Sequence, residues 1–164
     1  MKRQSLYLIL ILSLFCLDQL TKSIIASYIR LNSYVRVIPG FFNITHIQNK
    51  GAIFGFFSQD KNPAVHILLA IASVAAFGFV IYYFLKTPLS EKLMKFSLAL
   101  ILAGALGNLS DRIIRGYVID FLDFYIKGSH WPNFNLADSC ITIGAIILCY
   151  IFFFKGSKKC CQSS

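Results

Sequence analysis

Charge is scarce in this sequence. Asp, Glu, Lys and Arg make up 14% of its 164 residues, against about 25% in a soluble domain. Acidic residues are the rarer kind, seven against sixteen basic ones. With 57% of residues apolar and a mean hydropathy of +0.66, the chain holds too little polar surface to face water all round. An ordinary soluble domain is thereby excluded.

Histidine is scarce too. His46, His66 and His130 are scattered, and no HExxH or similar metal-ligand cluster occurs. No Gly-x-Ser-x-Gly nucleophile elbow is present. Gly104-Ala105-Leu106-Gly107 lacks the lysine of a phosphate loop and lies within an apolar run, where small residues permit close helix packing. The five cysteines, at 16, 140, 149, 160 and 161, have neither zinc-finger spacing nor the even count of a secreted disulfide framework. Small hydrophobes plus thiols on a reduced cytoplasmic tail suit them.

The net charge of +9 raises the question of nucleic acid. Its placement answers against that. Lys2 and Arg3 precede the first apolar run, Lys86, Lys92 and Lys95 lie between the second and third, and Lys155, Lys158 and Lys159 follow the fourth. Basic clusters flanking apolar segments are topology signals.

Four segments have the length and apolarity of a membrane-spanning helix: about 6–28, 63–85, 96–114 and 136–154. The first resembles a cleaved signal sequence ending at Cys16, but the bulky Phe15 before it does not suit cleavage, and apolar character resumes past Asp18. A retained helix is expected. The basic clusters place both termini and the 86–95 loop in the cytoplasm, leaving outer loops at about 29–62 and 115–135. In the first, Tyr34–Ile38, the break Pro39-Gly40 and Phe41–Gln48 suggest short strands in a small extracytoplasmic sheet. The second, with Tyr117, Phe121, Phe124, Tyr125 and Trp131, has the aromatics of an interfacial segment. The expected fold class is an all-α membrane protein, a four-transmembrane-helix bundle with a small β-sheet, forming one unit over 1–164 with a disordered tail from Lys158.

Asp60 and Glu91 sit in polar loops, whereas Asp18, Asp111, Asp120, Asp123 and Asp138 lie within or beside apolar segments. An aspartate deep in a span costs about 2.5–3.5 kcal/mol and persists when paired or used. Asp18 and Lys22 share a helix face, as do Asn108 with Arg112 and Asp111 with Arg115. Structural pairing and support of a site are both open for these groups. Asp120 follows the third span and Asp138 opens the fourth, so both sit at the outer boundary. Two carboxylates sharing a proton can activate a water and protonate a leaving amine. Asp138 has a second reading: Asn135 as N-cap and Asp138 as a first-turn acid favoured by the helix dipole.

Five segments then appear in order: Asp18-Gln19-Leu20-Thr21-Lys22, Asn49-Lys50-Gly51-Ala52-Ile53-Phe54, Gly104 to Arg112, Val118-Ile119-Asp120-Phe121 and Phe134-Asn135-Leu136-Ala137-Asp138. With them the chain resembles the lipoprotein signal peptidases (signal peptidase II) along nearly its whole length. The resemblance implies an aspartic endopeptidase of the bacterial cytoplasmic membrane, cutting diacylglyceryl-modified prolipoproteins before the lipidated cysteine. It implies Asp120 and Asp138 as the catalytic pair. Asn49, Gly51, Asn108, Arg112, Asn135, Asp18 and Lys22 take binding or supporting roles, with Asn49 a candidate oxyanion donor. It also implies sensitivity to globomycin, no metal or organic cofactor, no nucleic-acid partner, contact with membrane lipid and a monomer. The helix opening at Asn135 favours an ionised Asp138, leaving the shared proton on Asp120.

Overall fold

The computed structural model describes residues 2–51 and 63–155. Ala52-Ile53-Phe54 and the tail carrying Cys160 and Cys161 lie outside the described residues.

The chain runs α1 (Lys2–Tyr28), β1 (Tyr34–Ile38), β2 (Phe42–Asn49), α2 (Pro63–Lys86), α3 (Lys92–Ile114), β3 (Val118–Ile126), β4 (Ser129–His130) and α4 (Leu136–Tyr150), which continues as a π-helical turn over Ile151–Lys155. Gln4–Tyr28, Lys92–Ile114 and Leu136–Phe154 are long and apolar enough to cross a membrane; in α2 the described apolar stretch is Ile71–Lys86. Three or four apolar helices therefore make up most of the chain. The faces of α1 and α2 turned away from the other helices expose Leu6, Ile9, Leu12, Leu20, Ile67, Leu68, Ile71 and Phe79. A stripe that size suits lipid as its solvent.

The interior is thin, as a lipid-facing bundle allows. Ile11 of α1, Phe84 of α2 and Leu98, Ala99, Leu102 and Ala103 of α3 form one buried cluster. Small residues bring α3 and α4 together, as Gly104 and Gly107 suggested. A Cβ on Gly107 would stand 2.5 Å from Asp18 Oδ2, and one on Gly104 would collide with the Ala137 carbonyl. Across the seam, a Cβ on Gly144 would meet the Ser97 carbonyl at 2.7 Å. The backbones touch where side chains are missing.

The sheet is antiparallel in the order β1-β2-β3-β4. Both strands expected near 34–48 are present, turning at Gly40 with φ +80°. The segment expected to be an aromatic interfacial loop differs: Val118–Ile126 is the sheet's longest strand. Its residues are buried from 118 to 121 on both faces, so no alternation advertises it. Ile119 and Phe121 pack with Ile25 near the C-terminal end of α1, fastening the sheet to the helices.

One irregularity matters for the site. Ile44 pairs with Leu122 and Ile47 with Asp120, so β2 carries one extra residue between those pairs. Such a bulge reverses which face later residues occupy. Without it Asn49 would face away from Asp120; with it the two share a face.

Candidate active site

Asp120 comes from β3 and Asp138 from the first turn of α4, and the structure brings both into one buried polar cluster. They are 2% and 5% exposed. Three asparagines hold them. Asn49 Nδ2 donates to Asp120 Oδ2 at 2.9 Å and Asn135 Nδ2 donates to Asp120 Oδ1 at 2.8 Å. Asn108 Nδ2 donates to Asp138 Oδ1 at 2.7 Å. The Asn135 backbone N–H reaches Asp138 Oδ2 at 3.3 Å.

Each asparagine is held in one orientation by what its own oxygen accepts. Asn49 Oδ1 takes the Gly51 N–H at 2.9 Å. Asn135 Oδ1 takes the Asp138 N–H at 2.9 Å as N-cap of α4. Asn108 Oδ1 takes Lys22 Nζ at 3.1 Å and Asn135 Nδ2 at 3.2 Å. With every oxygen occupied by a donor, every Nδ2 is left to face a carboxylate. The helix-start reading of Asp138 is met, and it does not separate the residue from Asp120. Asn135 and Asp138 form a reciprocal capping box, and the same asparagine bridges to Asp120.

Behind the pair lies a network of formal charges. Lys22, wholly buried, contacts Asp18 Oδ2 and Asp111 Oδ2, each at 2.8 Å. Arg115 Nη1 meets Asp111 Oδ1 at 2.9 Å. Gln19, a position the sequence did not single out, donates to Asp111 Oδ1 at 3.3 Å and the Gly107 carbonyl at 3.2 Å. Asp18 Oδ1 also accepts the Ala137 N–H at 3.0 Å, capping α4 from a different helix. Asn108 and Arg112 share their helix face as expected, but Arg112 Nη1 donates to the Asn108 backbone carbonyl at 3.3 Å. Its Nη2 reaches the Gly51 carbonyl at 3.2 Å, tying α3 to the segment after β2.

Burial foremost, and then the charge of Asp138, push the Asp120 carboxyl up to about 7. The amides of Asn49 and Asn135 pull the other way without overcoming this. Near neutral pH Asp120 is therefore part protonated. Among the described residues no group of three His, Cys, Asp or Glu side chains is arranged to hold a metal ion.

A family model described as "Signal peptidase (SPase) II" matches residues 10–154. The chain belongs to the signal peptidase II family. Among curated relatives, a lipoprotein signal peptidase of Syntrophus aciditrophicus is 45% identical over 143 residues, spanning 87% of this chain and 89% of the relative. One of Francisella tularensis subsp. novicida is 43% identical over 153 residues, 93% of this chain and 94% of the relative. Two solved structures of bacterial membrane enzymes superpose with a TM-score of 0.81 each. They are 34% and 31% identical and cover 94% and 92% of this chain, and 91% and 94% of their own. This signal peptidase II relative is accordingly a membrane peptidase with several apolar helices.

Asp123, left without a role by the sequence, stands apart from the Asp120 and Asp138 cluster. It accepts from Asn43 Nδ2 at 2.8 Å and pairs with His130 Nδ1 at 2.7 Å, lacing β2, β3 and β4 together. Its place on β3, three residues beyond Asp120, was the available signal.

Proposed function

We propose that this peptidase removes signal peptides from diacylglyceryl-modified prolipoproteins, cutting before the lipidated cysteine with Asp120 and Asp138. One observation carries the reading: two buried carboxylates share an asparagine, and among the described residues every donor to them is an amide. Asp138 begins as the ionised member and Asp120 as the protonated one. A water held by the pair gives a proton to Asp138 as its oxygen attacks the scissile carbonyl carbon, and Asp120 protonates the carbonyl oxygen. The diol then collapses. Asp138 passes its proton to the leaving nitrogen, the C–N bond breaks, and Asp120 recovers a proton from a diol hydroxyl. In the free enzyme the Asn49 amide is engaged by Asp120; in this scheme it fixes the acid, and an oxyanion role requires it to turn.

The domain is a single one in this reading, with four helices spanning the cytoplasmic membrane, both termini inside and the pair at the outer face. A groove of about 320 Å³ between α2, α3 and α4, lined by Ala72, Ala76, Phe77, Ala105 and Ile141, ends on Asn108 and Arg112. Apolar and open to the bilayer, it suits the lipid-embedded part of the substrate. The working form is a monomer without metal or organic cofactor, and globomycin inhibits it.

The deciding assay measures processing of a lipidated prolipoprotein by purified Asp120→Asn and Asp138→Asn enzymes. Both should be inactive. Full activity in both would sink the aspartic mechanism.

A further inference from the structure

The catalytic reading above leaves one buried cation unexplained, and the inference that follows rests on that reading. Lys22 lies on α1, whereas the carboxylates it sits behind are on β3 and α4. Two carboxylates would suffice to pair a lysine, yet Nζ donates one hydrogen bond to Asp18 Oδ2 and another to the side-chain oxygen of Asn108, while Asp111 Oδ2 stands at ion-pair distance. That oxygen also accepts from Asn135. An amide whose oxygen faces an ammonium cannot turn over, because the flipped form would set N–H against N–H. It is also polarised, which strengthens the donor at its other end. That donor makes the 2.7 Å bond to Asp138.

We infer that Lys22 is a positioning residue for the peptidase reaction, fixing and polarising the Asn108 amide so that the pair's negative charge rests on Asp138.

Three features set this apart from simple ion pairing. The charges around Lys22 balance without Asn108: Asp18 and Asp111 carry two negative charges, Lys22 and Arg115 two positive ones. Among the described residues no lysine or arginine lies in ion-pair contact with Asp120 or Asp138, so the amide is the cation's direct path to the pair. The other nearby cation, Arg112, donates to the Asn108 and Gly51 carbonyls. The charged or titratable groups facing this relay are Asp18 from α1, Asp111, Arg112 and Arg115 from α3, Asp120 from β3, and Asp138 and Cys140 from α4.

The test must separate relay from packing. Lys22→Gln combined with Asp111→Asn removes one charge of each sign and leaves Asp18 its bonds from Gln19 and the Ala137 N–H. Asn108→Ser cuts the relay at its other end and leaves the ion pairs whole. Cleavage of a lipidated prolipoprotein is followed across pH for both and for their combination. Each should lower kcat at least tenfold with KM changed by less than about threefold. Each should also move the acid limb of the profile, which belongs to the coupled pair, towards higher pH. The combination should lose no more than Asn108→Ser alone, because both interrupt one path. Losses that multiply, or an acid limb unmoved in the Lys22 variant, would overturn the inference.

Should the charge-balanced variant fail to accumulate, Lys22→Arg decides. It keeps the buried cation but shifts the donor off the Nζ position, so the relay expects a reduced kcat and a displaced acid limb. A packing role expects neither. A parent enzyme that cleaves while these expectations fail refutes only the relay; a parent that does not cleave refutes the functional reading with it.

Discussion

Two clusters of buried acids lie side by side in this protein and are treated in opposite ways. Asp18 and Asp111 are met by Lys22 and Arg115 at ordinary ion-pair distances, two formal charges of each sign. Asp120 and Asp138 are equally deep, yet among the described residues only amides donate to them. An amide donates to a carboxylate without cancelling its charge. The first arrangement holds helices together; the second keeps a proton in play near neutral pH. Burial alone therefore says little about an acid's purpose. What it is buried against decides.

The sharpest way to break the comparison is to neutralise a member of the second cluster. Asp138→Asn or Asp120→Asn should cut prolipoprotein processing by about 10²–10⁴-fold, the usual range for general acid–base groups. The variants should still fold, since Asn has the shape of Asp and gives up only one of the two amide contacts its carboxylate accepts, which a thermal melt in detergent would show. The first cluster should respond in the opposite manner. Lys22→Met leaves two aspartates buried against one half-buried arginine and should cost about 3–5 kcal/mol of stability. Protein yield and melting temperature report it. A variant that melted like the parent would contradict the assignment of Lys22 as their partner.

Acidity sharpens the contrast more gently. Because the folded Asp120 carboxyl titrates near 7, above its unfolded value, the folded state holds a proton that the unfolded chain releases between about pH 4 and pH 7. Stability should thus fall as pH rises through that window, and Asp120→Asn should flatten the fall, by roughly 1–3 kcal/mol. On the proposed mechanism the same proton should set the basic limb of kcat/KM near pH 7. Removing the Asn49 donor, which lowers the Asp120 value, should move that limb upward in Asn49→Ala. A limb that moved down would show that Asn49 does not hold the ionised form. The smallest effect belongs to Arg115→Gln: the side chain is partly exposed and Asp111 retains Lys22, so about 0.5–1 kcal/mol is expected in a melt.

Sequence carried much of this, unevenly. Helix positions followed from apolar runs and basic flanks, and the first hairpin from its Pro-Gly break. The third strand did not show, because residues buried on both faces lose the alternation that marks a strand. Asp18 with Lys22 was visible as a spacing of four within one helix. That Lys22 also reaches Asp111 and Asn108 was not, since no spacing rule spans two helices 86 residues apart. Nor could spacing tell whether a helix-start role for Asp138 shuts out a partnership with Asp120, for a physical reason: the capping box and the bridge to Asp120 are made by the same Asn135.

That overlap at Asn135 has an evolutionary and practical consequence. Ser, Thr and Asp are all good helix caps, so a mutant carrying one of them should accumulate in the membrane at near-normal levels. None of them supplies the amide hydrogen that Asp120 receives. A screen scoring abundance would pass such variants as tolerated, while one scoring lipoprotein maturation would reject them. The position is permissive to the ribosome and the quality-control machinery, and closed to selection on product.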